Sequence, residues 1–156
     1  MNAIDLLKQD HETVKALLEQ LQDTSERAVQ TRKKLVAKIE QELQIHTALE
    51  ERIFYPAFRE AGKKEETVMT SEAKEEHRAV DSLVLPDIKE TSPSTLEFAG
   101  RVKVLKELLE HHIEEEESDM FPQASKLLGK RRLEELGEQM QAMRKTLESE
   151  SKKRAA

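Results

Sequence analysis

The sequence predicts an all-α fold: an up-down-up-down four-helix bundle of two tandem helical hairpins, followed by a C-terminal helix. Three observations carry this expectation. The 156 residues include only 4 Gly and 4 Pro, while apolar and charged residues each make up 37%. That balance suits long amphipathic helices with solvated outer faces. Apolar residues recur in alternating three- and four-residue steps, the spacing of a helix seam. The chain also repeats itself after 66 positions, pairing His11 with His77, His46 with His112, Glu50 with Glu116 and Pro56 with Pro122. Two copies of so long a period argue for a duplicated hairpin, not a solenoid. With no Trp and one Tyr, and little β-branched alternation, a sheet has no source.

The first helix spans about residues 2–21, capped by Asn2 with Asp5 in its first turn. Its seam is Ile4, Leu7, His11, Val14, Leu18 and Leu21. Asp23, Thr24 and Ser25 form a turn. The second helix follows over about residues 26–61, with Leu35, Ile39, Leu43, His46, Glu50, Ile53 and Ala57 inward. Pro56 predicts a kink or an end near Phe54 and Tyr55. Residues 62–66 read as a loop. The third helix starts near Thr70 or Ser71, carries Ala73, His77, Val80 and Val84 inward, and is cut or kinked by Pro86. Residues 91–94 form the clearest loop, and Ser94 with Glu97 forms a capping box for the fourth helix. That helix presents Phe98, Val102, Leu105, Leu109, His112, Glu116 and Met120, and bends or ends at Pro122. Gly129 sets off a final helix over about residues 130–150, with Leu133, Leu136, Met140, Met143 and Leu147 on one side. It packs outside the bundle or mediates an oligomer contact. The expected division is a bundle over residues 1–126, then a C-terminal helix and basic tail over residues 127–156.

Charge and composition narrow the function. The formal net charge is -6, with both signs interspersed, which argues against a nucleic-acid surface. No run approaches the ~18 apolar residues of a membrane span. The N-terminus lacks the apolar stretch of a signal peptide. The absence of Cys excludes thiolate metal sites and cysteine nucleophiles, and fits a reducing cytoplasm. A soluble cytoplasmic protein is therefore expected.

Polar residues interrupt every seam at matched positions. His46 lies four residues before Glu50, and His112 four before Glu116, so each pair stacks on one helix face. His11 and His77 supply one imidazole from each remaining helix. Burying such groups without a partner is costly, and metal coordination offsets that cost. Imidazole nitrogens with carboxylate oxygens suit iron, manganese or zinc. If Glu50 and Glu116 bridge two ions, His11 with His46 cap one and His77 with His112 cap the other, leaving an open position. His111 and Glu115 form a competing i,i+4 pair, but the repeat register and the spacing to Pro122 select His112 and Glu116. Glu51 and Glu117 read as part of the solvated face, with a minor role behind the ligands as the alternative. Tyr55 and Phe121, matched aromatics before proline, read as core packing.

These residues carry a family resemblance. Asp10-His11-Glu12, then HxxxEE followed by FYP, then Glu75-Glu76-His77, then HxxxEE followed by MFP, resemble the hemerythrin-like, HHE cation-binding family over about residues 2–126. The resemblance implies a non-haem di-iron centre with an oxo or hydroxo bridge. Oxygen-carrying hemerythrins place another histidine four residues beyond the third-helix one, where this chain has Asp81. Asp81 is then a weak extra ligand or a carboxylate behind the ligands. The substitution moves the expectation from reversible oxygen carriage toward binding a small oxidant (dioxygen, peroxide or nitric oxide) in sensing or oxidative-stress handling. Catalase-like peroxide decomposition and iron storage are the alternatives.

Overall fold

A computed structural model gives the structure of the chain, described here for residues 1–155. The described residues form helices and short connections, with no strand among them. α1 (Ala3–Gln22) is followed by α2 (Val29–Leu49), which runs through a π-helical turn, Glu50–Phe54, into α3 (Tyr55–Ala61). α4 (Lys64–Ala79) runs through a second such turn, Val80–Val84, into α5 (Leu85–Glu90). α6 (Leu96–Glu115) runs through a third, Glu116–Met120, into α7 (Phe121–Ala155). Together these make four antiparallel rods, and the last is broken at Gly129. The all-α, up-down-up-down four-helix bundle stands as the sequence predicts.

The rods do not end at their prolines. A proline inside an α-helix has no N–H to give and its ring crowds the carbonyl four residues back. Here each proline follows a five-residue π turn instead. The amides of Tyr55, Leu85 and Phe121 donate to the carbonyls of Glu50, Val80 and Glu116, closing i→i−5 bonds directly before Pro56, Pro86 and Pro122. The extra residue accommodates the ring and lets the helix continue. Two of the three wide turns open on Glu50 and Glu116, so the proline device also shapes the duplicated polar motif.

Other boundaries shift for local reasons. The third rod begins at Lys64, not near Thr70, because the Glu66 carboxylate accepts from the Lys63 amide at 2.8 Å and caps an earlier start. The fourth rod is capped by Thr95, whose hydroxyl accepts from the Phe98 amide, one residue later than expected. The second begins at Val29. Asn2 caps α1 as expected, accepting from the Asp5 amide at 2.9 Å.

Two apolar clusters fill the bundle. Leu7, Leu49, Phe54, Phe58, Ala73, Met120 and Phe121 belong to one. Val14, Leu18, Ile39, Leu43, Val80, Leu105 and Leu109 belong to the other. Along each rod the chain passes from one cluster to the other through a polar residue: Leu7 to His11 to Val14, Leu43 to His46 to Leu49, Ala73 to His77 to Val80, Leu109 to His112 to Met120. A polar layer is thereby sealed between two dry ones. At the far end of the second cluster, buried Arg32 ties two loops together. It donates to the Thr24 hydroxyl and carbonyl and to the Pro93 carbonyl, and its guanidinium lies over the Phe98 ring.

Beyond Gly129, whose φ of 75° is one that L side chains rarely adopt, the chain folds back onto the bundle. Leu133, Leu136 and Met140 join the first cluster, beside Ala3, Leu6 and Leu7. Gly137 makes the close approach possible: a Cβ there would lie 2.3 Å from the Met1 carbonyl oxygen and 3.0 Å from the Ala3 nitrogen. No helix among the described residues is long and apolar enough to cross a membrane.

Candidate metal centre

The four histidines and two glutamates singled out by the repeat meet in the polar layer, and all six are buried. Each glutamate faces one histidine from each hairpin. Glu50 Oε1 lies 3.2 Å from His46 Nε2 and 3.1 Å from His77 Nε2. Glu116 Oε1 lies 3.3 Å from His11 Nε2 and 3.1 Å from His112 Nε2. His77 Nε2 and His112 Nε2 are 3.1 Å apart. Two sets of donor atoms lie close enough to share an ion: His11, His46, Glu50 and Glu116, and Glu50, His77 and His112.

The opposite ring nitrogens are held by four further carboxylates. His11 Nδ1 lies 2.6 Å from Glu117 Oε2, and His77 Nδ1 lies 2.8 Å from Glu51 Oε2. His46 Nδ1 lies 2.9 Å from Asp10 Oδ2, and His112 Nδ1 lies 2.8 Å from Glu76 Oε1. An ionised carboxylate only accepts, so each Nδ1 carries the hydrogen and donates it. Every Nε2 is then aimed inward, the arrangement that orients a metal-ligating imidazole. The set obeys the repeat, since Glu51 and Glu117 are 66 positions apart, as are Asp10 and Glu76. Glu51 and Glu117, expected on the solvated face, are half-buried hydrogen-bond acceptors. Asp10 and Glu76 enter the sequence analysis only as part of the Asp10-His11-Glu12 and Glu75-Glu76-His77 motifs, with no role of their own, although each directly precedes a site histidine and the same 66-residue shift pairs them.

The matched aromatics break the symmetry. Phe121 stacks on His11 with ring centroids 5.8 Å apart, and Tyr55 stacks on His77 at 5.7 Å. Only Tyr55 has a hydroxyl, and it donates to Glu116 Oε2 at 2.8 Å. Tyr55 is thus part of the site and not core packing alone. Glu50 has no such donor.

Asp81 is exposed and makes no hydrogen bond to the histidines; the carboxylates behind the rings are Asp10, Glu51, Glu76 and Glu117. His111 is exposed on the outer face of α6, where its Nε2 lies 3.1 Å from Glu115 Oε1. Neither His111 nor Glu115 enters the buried layer.

The residues present fit a pair of metal ions. His11 Nε2, His46 Nε2, both oxygens of Glu50 and Glu116 Oε1 are buried with no hydrogen-bond partner. Buried polar atoms are normally satisfied, and here five orphans converge on one point. Their separations also match. Two donor atoms each about 2.0–2.1 Å from one ion lie roughly 3 Å apart. The electrostatics agree. Burial draws the His46 pKa down, but the Glu50 charge and the hydrogen bond to Asp10 push it up to about 10. His112 opposes burial in the same way, raised chiefly by Glu116. Burial pushes the Glu116 carboxyl up, but His112 and further hydrogen bonds hold it well below the usual range. Two carboxylates in a dry layer demand positive charge, and protons on imidazole supply it when nothing else does.

Two openings adjoin the layer. A groove of about 770 Å³ between α2, α4 and α6 reaches His77 and His112 past Glu51, Arg52, Arg78 and Asp81. A smaller cavity of about 120 Å³ reaches Glu116 and His112 past Glu72, Glu76, Glu115 and Asp119.

Comparison with known proteins agrees with this geometry. The family model described as the hemerythrin HHE cation binding domain matches residues 2–124. The crystal structure of a hemerythrin HHE cation binding domain-containing protein from Mycobacterium kansasii superposes with a TM-score of 0.83 at 30% identity, covering 96% of this chain and 89% of that one. An uncharacterised protein of Mycobacterium tuberculosis is 31% identical over 143 residues, which are 91% of this chain and 84% of that protein. A protein from Nostoc named DNA nickase is 31% identical over 122 residues, which are 78% of this chain but only 33% of the longer Nostoc protein.

Proposed function

Because the chain belongs to the hemerythrin HHE cation-binding domain family, we propose that its polar layer is a non-haem di-iron centre that binds a small oxidant. In this reading His11 and His46 would hold one ion and His77 and His112 the other, with the Glu50 and Glu116 carboxylates as the shared anionic donors. Dioxygen, peroxide and nitric oxide are the ligands of suitable size, and the role is sensing or oxidative-stress handling. The carrying observation is the convergence of five buried, unpartnered donor atoms. When bound, two iron ions supply redox equivalents and open coordination positions. The chain's own groups do the rest. Asp10, Glu51, Glu76 and Glu117 fix the imidazole tautomers. The apolar clusters above and below exclude water. The groove beside His77 and His112 offers a small molecule a path inward.

Iron as the occupant, over zinc or manganese, is tested by anaerobic loading with ferrous ions and then exposure to air. Two irons per chain and near-ultraviolet charge-transfer bands are expected, both reduced in His112→Ala. Fewer than two metals per chain would defeat the reading.

One observation favours a second reading, catalase-like decomposition of peroxide. The Tyr55 hydroxyl donates to Glu116 Oε2 at 2.8 Å inside the buried layer, which places a hydrogen-bond donor beside the site, and burial with the Glu116 charge keeps the phenol protonated by pushing its pKa well above the usual value. Steady oxygen evolution from peroxide, lost in His112→Ala, would favour the enzyme; reversible oxygen uptake without turnover would favour the binding protein.

A further inference from the structure

We propose that the small acidic cavity beside Glu116 is the route by which divalent cations load the centre, with Glu76, His111 and Glu115 as its outer docking station. The inference rests on the metal-centre reading and assigns a task to Glu72, His111, Glu115 and Asp119, which the centre itself leaves unused.

Five of the nine residues lining this cavity are acidic: Glu72, Glu76, Glu115, Glu116 and Asp119. None is basic. Among the described residues no Lys or Arg forms an ion pair with any of them, although ion pairs are plentiful elsewhere on the surface. Carboxylates that no Lys or Arg offsets, Glu72 and Asp119 outermost in exposure, focus a negative potential at the opening and raise the local concentration of cations.

An acidic cluster alone would say little, but two independent features point to a cation. At the inner end lies Glu116, which is 2% exposed and whose Oε1 has no hydrogen-bond partner. A cation passing inward meets a buried carboxylate oxygen with nothing bound to it. At the outer end, donor atoms of Glu76, His111 and Glu115 lie close enough together to share one ion. Glu76 and Glu115 also line the cavity, so the station opens directly into it. An imidazole with two carboxylates suits ferrous, manganous, zinc or cobaltous ions.

The larger groove is lined differently. Arg52, Lys74 and Arg78 offset Glu51, Glu75, Glu76 and Asp81 there, so it has little net attraction for cations. The two openings divide the traffic: cations through the acidic cavity, the small neutral ligand through the groove. Glu76 serves both tasks, since its Oε1 also accepts from His112 Nδ1.

The test is the rate of anaerobic Co²⁺ uptake by the full chain, followed by stopped-flow visible absorption at low and raised ionic strength. Glu72→Gln/Asp119→Asn removes two exposed cavity charges and no buried donor. We expect uptake slowed about fivefold at low salt with the final stoichiometry unchanged, and a salt dependence weaker than the parent's. The control Glu75→Gln/Asp81→Asn, on the larger groove, should load at the parent rate. His111→Ala should also slow uptake and leave the final stoichiometry intact. Cavity variants that load at the parent rate and salt dependence, or a control slowed as much as they are, would overturn the route alone. A parent chain that takes up fewer than two Co²⁺ would overturn the metal-centre reading, and the route with it.

Discussion

At the scale of single residues, the centre is governed by which nitrogen of each imidazole carries a hydrogen. Four carboxylates decide this. Each accepts from an Nδ1 and leaves the Nε2 lone pair directed into the layer. Losing one carboxylate frees a ring to turn, and such changes cost metal affinity about 10–100-fold. Glu117→Ala and Glu51→Ala should therefore each weaken binding within that range, measured by competition with a chromophoric chelator. Glu12→Ala, on the exposed face of α1, should leave the affinity unchanged. The six inner donors could be read from the sequence because histidine is conspicuous on an apolar seam. The carboxylates behind them could not be read so readily. Glutamate is common on this surface, and Glu117 and Glu51 reach their histidines across the bundle, 106 and 26 residues away in sequence.

At the scale of elements, helix and loop boundaries follow local chemistry that competes with periodicity. Proline predicts a break, yet each of Pro56, Pro86 and Pro122 sits just after a wide turn that keeps its rod continuous. A residue pattern reports which face is apolar, not whether one turn holds an extra residue. The return of the C-terminal helix was legible in part: Gly129 and the Leu133, Leu136, Met140 stripe mark a separate packing face. Gly137 was not legible, since its role depends on where the N-terminus lies. Adding a methyl there forces backbone apart, because Met1, Asn2 and Ala3 main-chain atoms occupy the space. Gly137→Ala should destabilise by about 1–3 kcal/mol, despite the higher helix propensity of alanine, seen as a lower midpoint in urea unfolding. An increase in stability would show that the C-terminal helix does not sit against α1.

At the scale of the whole molecule, burying Glu50 and Glu116 between two apolar clusters demands positive charge, which imidazole protons supply in the metal-free chain and metal ions would replace. Binding to the native state alone stabilises by about 2.7 kcal/mol when free metal stands at 100 times its Kd. For a domain of this size that is a rise of roughly 5–10 °C in Tm, measurable by calorimetry with and without metal. Glu50→Gln/Glu116→Gln removes the buried charge. Its metal-free form should unfold earlier than the metal-free parent at neutral pH, because the charge partners of His46 and His112 are gone, and it should lose most of the metal-dependent rise.

The exchange of glutamates between hairpins makes the two halves of the chain interdependent. Glu116, from the second hairpin, closes on His11 of the first, and Glu50, from the first, closes on His77 of the second. The carboxylates behind those two rings cross over in the same sense. A solitary hairpin thus holds an incomplete set of donors, whereas two hairpins about a two-fold axis complete both sets at once. Because both hairpins lie in one chain, Tyr55 brings a phenol to one half of the layer while its counterpart Phe121 brings none to the other, a difference that a pair of identical hairpins cannot have.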